Sequence, residues 1–377
     1  MKFNCDTLTF SEAVANVMKA VSTRSTLPIL EGICLTALEN KIILTGYDLE
    51  MGITTEIEAN VSEPGRIVLT ASYLYNIVRK MPGDRIMLCS DEKQKTTIES
   101  GVTTFNILGM PAEEYPQMPE LSEDEPFDLP QKTLKNMIDM TLFAVAAPDT
   151  SRPVQTGSYF DINDGVFCLV AVDGFRLAMR QEKLENTSLN CHFVVPGKTL
   201  AEISRLIDVS KDDGEEPASV GIRFSEKHAV FIIDGYTIVT RLLEGEFLNY
   251  RRSIPEKSDL HATVAVRDFI DSIERTSLLI TERLKSPLRC LFQENVIAIS
   301  CVTTVGRSYD EVFCETDGEV VDIGFNNRYL LDALKACGCQ KVRLELSAPP
   351  SPMKILPMEG DHFLYLVLPT RLKNDLG

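Results

Sequence analysis

The chain has 377 residues, of which 44% are apolar and 25% are charged, a composition typical of soluble globular proteins with enough length for two or three domains. This excludes a disordered or fibrous protein, and because neither an apolar run of roughly 18 residues nor a hydrophobic signal core occurs, we expect a cytoplasmic protein without a membrane segment. The net charge of −17 at pH 7 argues against a simple basic nucleic-acid binder or a membrane-surface protein.

The first third of the chain predicts two amphipathic helices on either side of a strand. Apolar residues recur at i, i+3, i+4 and i+7 in residues 11–24 and 71–81, which is the pattern of a helix with one buried face. Residues 41–45 follow the turn residue Asn40 with a short apolar run that predicts a strand.

The same succession of helix, strand and helix recurs twice more. The turn residues before the three strands, Asn40, Gly165 and Asn295, are 125 and 130 residues apart, and the second helices start 126 and 129 residues apart. Because spacing and content agree, we infer three repeated domains of about 125 residues. The matching segments are helices at 131–145 and 197–208 with a strand at 166–171, then helices at 266–283 and 326–341 with a strand at 296–300.

The repeat also predicts the fold class. Turn dipeptides at Asp164-Gly165, Asp234-Gly235 and Asp317-Gly318 indicate hairpins and hence antiparallel sheet. Two helices against about eight strands per copy predict an α+β fold in which the helices pack on antiparallel sheet. Linkers at 116–126 and 253–259 separate domains that we predict at 1–125, 126–254 and 255–377.

Charge is distributed unevenly between the helices and the rest of the chain. The six predicted helices have a net charge of +5, so the strands and loops carry −22. If the helices share one face, that face attracts a polyanion such as duplex DNA while the acidic remainder repels it. The alternative is that Lys and Arg only solvate the helix surfaces, as they do in most soluble proteins.

Cysteine and histidine do not form a recognisable metal motif. The ten Cys are scattered and several lie in apolar strands, which favours buried free thiols over disulfides. Only Cys337 and Cys339 are close together, and none of the four His stands at ligand spacing. We therefore expect no metal, and the redox state of Cys337 and Cys339 stays open.

Candidate catalytic residues have simpler explanations. Gly197-Lys198-Thr199 resembles the end of a phosphate-binding loop, but the opening glycine is missing. Asp48 and Asp173 occupy matching places in the first two copies, where paired carboxylates for acid–base chemistry are one interpretation. A turn role is favoured, because Asp173 precedes a glycine and Asp48 lies in a comparable bend. No nucleophile elbow or dinucleotide fingerprint occurs, so we find no catalytic constellation.

Residues 363–369 form a markedly apolar run for the end of a chain. One interpretation is a last core strand. The other starts from Pro369, which cannot donate a hydrogen bond to a strand ladder. Leu368 and Pro369 then lie at a sheet margin, where exposed apolar groups can form a groove for a peptide.

The chain resembles one family, the bacterial sliding clamps, which are the β subunit of DNA polymerase III. The resemblance covers the whole chain in order, with the same threefold repeat and five dispersed motifs: LPIL at 27–30, LTGYDLE at 44–50, AVDGFRLA at 171–178, FLNYRR at 247–252 and LPTRL at 368–372. It implies a head-to-tail homodimer whose six domains form a ring around duplex DNA, with helices lining the hole. It also implies a non-catalytic processivity factor without a cofactor, which tethers the replicative polymerase.

The resemblance assigns residues as well. It implies a pocket for short peptides ending in apolar and aromatic side chains, shared by the polymerase, the clamp loader and repair proteins. The resemblance also assigns residues to the subunit interface, for which the alternative is ordinary packing in the core of one copy. The implied pocket residues are Val172, Gly174, Phe175, Arg176, Leu177, Leu248, Arg252, Pro352, Leu366, Val367, Leu368, Pro369 and Arg371; the DNA-near residues are Arg24, Arg79, Arg152, Lys198 and Arg205; the interface candidates are Phe105, Leu108, Leu278 and Leu279.

The sequence departs from the family pattern in three pocket positions. Phe175 stands where His is frequent, Leu248 where Pro is frequent, and Gln155 where an apolar residue often lines the groove. We therefore expect a different peptide preference. The tail at 373–377 runs past the usual end of the family, and either modulates access to the pocket or is frayed.

Two functions of other classes remain open on the sequence alone. One is a cytosolic three-domain enzyme with a site between domains that uses Asp173 and Arg176. The other is a monomeric peptide-binding scaffold with no DNA role.

Overall fold

A computed structural model of the chain describes residues 1–119, 127–184, 189–209, 218–281 and 286–372. The described residues form two compact units, one of Met1–Lys135 with Ala201–Leu242 and the other of Asn136–Leu200 with Leu243–Gly377. The first predicted domain boundary, at 125/126, and the tail at 373–377 lie outside the described residues.

Six α-helices lie in the described residues, two in each copy of the repeat. Their ends were predicted too late, because the apolar stripes continue into short 3₁₀ turns such as Met18–Ala20 and Ser277–Leu279. The first helix begins four residues earlier than predicted, since Asp6 caps it by accepting a 2.8 Å hydrogen bond from the Thr9 amide. The helices are α1 Thr7–Val17, α2 Ala71–Val78, α3 Gln131–Asp139, α4 Gly197–Leu206, α5 Val266–Thr276 and α6 Asn327–Ala336.

The first copy of the repeat contributes nine strands and the middle copy eight. Those of the first copy are β1 Lys2–Asp6, β2 Gly32–Leu38, β3 Lys41–Tyr47, β4 Met51–Glu58, β5 Asn60–Glu63, β6 Gly65–Thr70, β7 Arg85–Ser90, β8 Lys95–Ser100 and β9 Thr103–Leu108. Those of the middle copy are β10 Phe127–Pro130, β11 Gly157–Asn163, β12 Val166–Val172, β13 Arg176–Lys183, β14 Cys191–Pro196, β15 Ser219–Phe224, β16 His228–Ile233 and β17 Tyr236–Arg241.

The last copy also contributes eight strands among the described residues. The predicted strands at 41–45, 166–171 and 296–300 are confirmed as parts of β3, β12 and β20. The strands of this copy are β18 Leu260–Ala265, β19 Leu288–Gln293, β20 Val296–Thr303, β21 Gly306–Gly318, β22 Val321–Phe325, β23 Lys341–Leu346, β24 Met353–Leu356 and β25 Phe363–Val367.

The first unit contains two antiparallel sheets. One has five strands in the order β5-β1-β7-β8-β9, and the other has eight in the order β10-β15-β16-β17-β4-β3-β2-β6. The larger sheet is continuous across two copies of the repeat, because β17 pairs with β4 from Tyr236 opposite Thr55 to Thr240 opposite Met51. Helices α1 and α2 pack against each other in this unit and bury apolar side chains such as Phe10.

The second unit is built on one sheet of twelve antiparallel strands. Their order is β14-β11-β12-β13-β25-β24-β23-β18-β21-β20-β19-β22. The β13–β25 pair, from Arg176 opposite Val367 to Arg180 opposite Phe363, joins the middle and last copies. A single buried cluster includes Phe269, Phe363 and Tyr365, which accounts for the apolar C-terminal run as a core strand that ends at Val367.

Two predicted hairpin turns are confirmed and one is wrong. Asp164-Gly165 and Asp234-Gly235 have positive φ angles and connect β11 to β12 and β16 to β17. Asp317-Gly318 instead ends β21, paired with β18. Its glycine is explained by close packing, because a Cβ on Gly318 would lie 2.2 Å from the backbone oxygen of Asp259.

Candidate functional site

A cleft of about 330 Å³ lies in the second unit, where the loop from β12 to β13 meets the end of β25. Its floor is apolar: Val172 pairs with Leu177 across β12 and β13, and Leu177 pairs with Leu366 across β13 and β25. Leu248 and Leu368 stand at the rim, each about 40% exposed. The full lining is Arg152, Gln155, Val172, Gly174, Arg176, Leu177, Leu248, Ser253, Pro350, Pro352, Leu366 and Leu368.

The loop at one side of the cleft is held by Asp173. Its Oδ1 accepts hydrogen bonds from the amides of Phe175, at 2.9 Å, and Arg176, at 3.1 Å. Gly174 turns the chain with φ of +89°, which glycine adopts without a steric penalty. The amide of Leu368 donates to the carbonyl oxygen of Phe175 at 2.9 Å. A backbone hydrogen bond therefore connects the β12–β13 loop to the segment after β25, and the two form this side of the cleft.

Arg176 is the charged centre of this side of the cleft. Its Nε lies 2.9 Å from Asp173 Oδ2 and its Nη1 lies 2.5 Å from Asp332 Oδ2. The guanidinium carbon also lies over the rings of Tyr329, at 4.6 Å from the centroid, and Phe143, at 5.4 Å. Burial, with the charge of Asp173, raises the pKa of Tyr329, so its ring faces the guanidinium as a neutral phenol. Arg176 is thus fixed in place before any ligand arrives.

The opposite side of the cleft is formed by the chain after β17. Tyr250 donates a 2.7 Å hydrogen bond to Asp161 Oδ2, and Arg251 Nη1 lies 2.9 Å from the same oxygen. Phe247 stacks on Tyr159 with ring centroids 4.7 Å apart. Burial, with the hydrogen bond to Asp161, raises the pKa of Tyr250. These contacts hold the segment that presents Leu248 to the cleft.

Comparison with known proteins identifies the molecule that carries this cleft. Models of the N-terminal, central and C-terminal domains of the DNA polymerase III beta subunit match residues 1–119, 128–249 and 251–371. The beta sliding clamp of Staphylococcus epidermidis is 33% identical over 98% of this chain and 99% of its own length. The chain belongs to the sliding clamp family, the beta subunit of DNA polymerase III.

Solved sliding clamps share the fold over their full length. The structure of the Bacillus subtilis clamp matches with a TM-score of 0.94 and 30% identity, covering 99% of this chain and all of the other. The Pseudomonas aeruginosa clamp bound to griselimycin matches with a TM-score of 0.91 and 28% identity, with the same coverage. The chain therefore has the three-domain α+β fold of a clamp.

The sliding clamp is a non-catalytic processivity factor, which rules out the alternative of an enzyme built on Asp173 and Arg176. Both side chains are engaged in the loop and ion pairs described above. Asp48 likewise closes its own turn, by accepting hydrogen bonds from the amides of Glu50 and Met51. The turn role that the sequence favoured for both aspartates is what the structure has.

Eight of the thirteen predicted pocket residues line the cleft of this clamp. Of the others, Phe175 is 58% exposed and stacks on Tyr329 beside the cleft, and Arg252 is exposed. Val367 is fully buried in the core cluster, because successive residues of a strand face opposite sides of the sheet. Pro369 and Arg371 follow the strand end outside the lining.

The sequence did not point to Ser253 and Pro350, which also line the clamp's cleft. Ser253 ends the 3₁₀ turn Tyr250–Ser253, and Pro350 lies in the loop before β24. The only signal for either was its closeness in sequence to predicted pocket residues, Arg252 and Pro352.

The basic residues predicted to lie near DNA are exposed in the clamp. Arg24 follows α1 in a loop, and Arg79 directly follows α2, with its guanidinium over the Tyr75 ring. Lys198 and Arg205 are on α4, and Arg205 forms a 2.5 Å ion pair with Glu202. Arg152 is placed differently, because it lines the cleft.

The predicted interface residues of the clamp are exposed or partly exposed apolar side chains. Phe105 and Leu108 lie on β9 and are 41% and 74% exposed; Leu278 is 80% exposed and Leu279 partly buried in the turn after α5. Full burial in the core, the alternative raised from the sequence, is thus not seen for any of the four.

All ten cysteines of the clamp are free thiols, and seven of them are buried. Burial raises the pKa of Cys337 to about 11. In the described part of the chain, no helix is long and apolar enough to cross a membrane, and no group of three or more His, Cys, Asp or Glu is arranged to hold a metal.

Proposed function

We propose that two copies of this chain close head to tail into a ring around duplex DNA, and that the cleft of the second unit holds short peptides of the proteins the ring tethers. These partners are the replicative polymerase, the clamp loader and repair proteins, acting in the cytoplasm. The observation that carries the proposal is the apolar cleft in a chain that matches sliding clamps from end to end.

The cleft is suited to a peptide with apolar and aromatic side chains. Its floor and rim are formed by Val, Leu and Pro side chains, and apolar groups removed from water there contribute about 25 cal/mol per Å². The guanidinium of Arg176, held between Asp173 and Asp332, forms a fixed polar wall at one side. Pre-formed walls reduce the ordering cost of binding, which favours affinity.

Two exposed sheet edges support the proposal of a ring. Strand β9 pairs only with β8 among the described strands, and it carries Phe105 and Leu108. Among the described strands, Gly306–Phe313 of β21 pairs along one edge only, with β20. The 3₁₀ turn Ser277–Leu279, which carries the exposed Leu278, contacts β21. An unpaired strand edge with exposed apolar neighbours is prone to aggregation unless another strand pairs with it. We infer that β9 of one copy adds to β21 of the other.

DNA contacts in the proposed ring are sequence-independent. Arg24, Arg79, Lys198 and Arg205 each supply one exposed cation for a phosphate, so each is individually expendable. Topological enclosure, rather than affinity, then keeps the clamp on DNA. The contact of Arg152 with DNA stays a prediction, as do the domain boundaries at 125/126 and 254/255.

The ring is tested by negative-stain imaging and sedimentation. The native protein is expected to give rings with a central hole at the mass of a dimer, and the double variant Leu278→Asp, Leu279→Asp is expected to give monomers. Met358→Asp, at a 43% exposed apolar residue of the same unit, is the matched control and should leave rings. Compact monomers of the native protein at high concentration would refute the ring.

The cleft is tested by the double variant Leu368→Ala, Pro369→Ala. It is expected to abolish binding of a labelled peptide ending in Leu-Phe while the dimer mass stays unchanged. Retention of native peptide affinity by this variant would refute the assignment of the pocket.

A further inference from the structure

Two cysteines lie together at the C-terminal end of α6. Cys337 caps the helix, and Cys339 follows after a single glycine. The thiol of Cys337 donates a hydrogen bond to the carbonyl oxygen of Leu334 at 3.0 Å, and the thiol of Cys339 donates to the carbonyl oxygen of Cys337 at 3.3 Å. Both thiols are therefore turned toward the last carbonyl groups of the helix, which have no partner within it.

The bend between the two cysteines brings them within disulfide range. Gly338 has φ of +64°, which glycine adopts without a steric penalty, and no atom lies within 4 Å of a Cβ added to it. Two residues of extended chain span at most about 7 Å. A turn shortens this span into the range of about 4.4–6.8 Å that a disulfide requires between Cα atoms. The open side of the bend also leaves room for the chain to adjust.

The two thiols differ in reactivity. Cys337 is 3% exposed, and burial raises its pKa to about 11. Cys339 is partly exposed, and burial raises its pKa as well. The hydrogen bond between the two thiols acts in opposite directions, because it raises the pKa of Cys337 and lowers that of Cys339. Cys339 is thus the thiol that ionises first and that an oxidant in solvent reaches, with Cys337 held beside it.

A buried hydroxyl near these thiols has no partner. Tyr365 is fully buried, and its hydroxyl makes no hydrogen bond with any described residue. Burial raises the pKa of Tyr365, and the charges of Cys337 and Cys339 raise it further, so the phenol stays protonated. A buried donor without a partner calls for an explanation, and a redox role is one. The hydroxyl is a donor available to an oxygen atom added to sulfur.

We propose that Cys337 and Cys339 are a reversible oxidation site, at which hydrogen peroxide converts the dithiol to an intramolecular disulfide. The thiolate of Cys339 attacks one peroxide oxygen: an S–O bond forms, the O–O bond breaks, and the departing hydroxide takes up the proton released by the thiol to give water. The sulfur of Cys337 then attacks the sulfenic acid on Cys339: the S–S bond forms, the S–O bond breaks, and a second water leaves with the proton of Cys337. The two thiols lose two electrons, and one peroxide is reduced to two waters.

The dithiol is the resting form of this site. Oxidation removes both S–H donors, so the hydrogen bonds to the carbonyl oxygens of Leu334 and Cys337 are lost. The disulfide also closes a short ring across one glycine. Strained or exposed disulfides have the more oxidising potentials and are the ones that reductants open. A dithiol such as dithiothreitol should therefore restore both thiols.

The test uses a peptide that contains both cysteines and no other. Trypsin releases it as residues 336–341, because Lys335 and Lys341 are its cleavage sites. Reduced native protein is treated with hydrogen peroxide, quenched with catalase, denatured, alkylated with iodoacetamide and digested for mass spectrometry. The same protein before denaturation should keep its circular dichroism spectrum, which shows that the folded form was oxidised.

In most molecules, peptide 336–341 is expected to lack both alkyl groups and to have lost two hydrogen atoms. Dithiothreitol added before alkylation should restore both alkyl groups. The proposal is overturned if the peptide stays doubly alkylated after peroxide, or if it gains oxygen atoms without forming the disulfide.

Single-thiol variants test the assigned order of the steps. Cys337→Ser leaves the sulfenic acid on Cys339 without a thiol to attack it, so dimedone should trap it. Cys339→Ser keeps only the buried thiol and should give about tenfold less dimedone adduct. Equal adducts on the two variants would refute the order.

Cys191→Ser is the matched control, because Cys191 is another partly exposed thiol of the second unit. It should leave disulfide formation in peptide 336–341 at the native level. Loss of that disulfide in Cys191→Ser would show that oxidation starts at Cys191, which would also contradict the proposal.

Discussion

The chain forms the same turn in the first and middle copies of the repeat, but only the turn of the middle copy borders the cleft. Between β3 and β4, Asp48 Oδ1 accepts from the amides two and three residues later, and Leu49 has φ of +75°. Between β12 and β13, Asp173 Oδ1 accepts from the corresponding amides, and Gly174 has φ of +89°. The two turns share the same hydrogen bonds and a positive φ angle, so the turn conformation alone does not create the cleft.

The fourth residue of the turn makes the difference. In the first copy it is Met51, which is 1% exposed in the core. In the middle copy it is Arg176, which uses the second oxygen of Asp173 and reaches Asp332 of the last copy. The comparison teaches that the repeat supplies the same turn twice, and that an arginine at its fourth position makes the middle turn part of the cleft wall.

The third copy supports this view. There Thr303 replaces the aspartate: its Oγ1 accepts from the amide of Val305 at 3.3 Å and donates to the carbonyl of Gly306 at 3.1 Å. A hydroxyl can close the turn but leaves no second oxygen for an arginine.

The largest expected effect is from Asp173→Ala, compared with Asp48→Ala. Each loses two hydrogen bonds from backbone amides to the aspartate, worth roughly 1–1.5 kcal/mol apiece, but only Asp173→Ala also releases Arg176. We expect Asp173→Ala to lower the free energy of unfolding by about 3–5 kcal/mol and peptide affinity at least tenfold. Asp48→Ala should cost about 2–3 kcal/mol and leave peptide affinity unchanged. Urea unfolding and peptide titration measure both; equal loss of affinity would contradict the comparison.

Arg176→Met makes the middle turn like the first and should have the next largest effect. The cleft loses the Arg176 guanidinium, and Asp173, only 13% exposed, loses an ion pair. Peptide affinity is expected to fall about tenfold, while unfolding becomes easier by about 1–2 kcal/mol. Lys is the matched control, since it keeps the charge but not the forked geometry, and should recover part of the affinity. An affinity unchanged in Arg176→Met would show that the two turns do not differ in function.

The smallest effects come from exchanging the residues with positive φ. Gly174→Ala should lower stability by about 1 kcal/mol through backbone strain alone, because no atom lies within 4 Å of the added Cβ. Leu49→Gly relieves similar strain but increases the entropy of the unfolded chain, so we expect a change within about 0.5 kcal/mol. Thermal unfolding measures both, and a stabilising Gly174→Ala would contradict a shared turn conformation.

The sequence was sufficient for the repeat, because helical and strand periodicities recur in register. The strands beginning at Lys41, Val166 and Val296 and five of the six helix starts follow from local patterns. Asp317-Gly318 was misread as a turn, because a glycine required by a close approach to Asp259 looks the same in sequence as one required by a hairpin.

Local sequence patterns could predict the cleft only where neighbours in sequence are neighbours in space, and the residues far apart in sequence came from the resemblance to the family. Asp332, which pairs with Arg176, is 156 residues further along the chain, and its approach depends on the pairing of β13 with β25. Val367 was placed in the pocket from the resemblance, although the alternation of β25 puts Leu366 and Leu368 on the other side. Strand alternation, applied to that motif, predicts the burial of the Val367 side chain.

Hydrogen exchange with and without the Leu-Phe peptide tests the central claim most directly, because it reads both turns in one sample. The account predicts slower exchange at 172–177, 248–253 and 366–368 in the presence of peptide, and unchanged exchange at 48–51. Protection of 48–51 to the same degree, or no protection at 172–177 under saturating peptide, would contradict it.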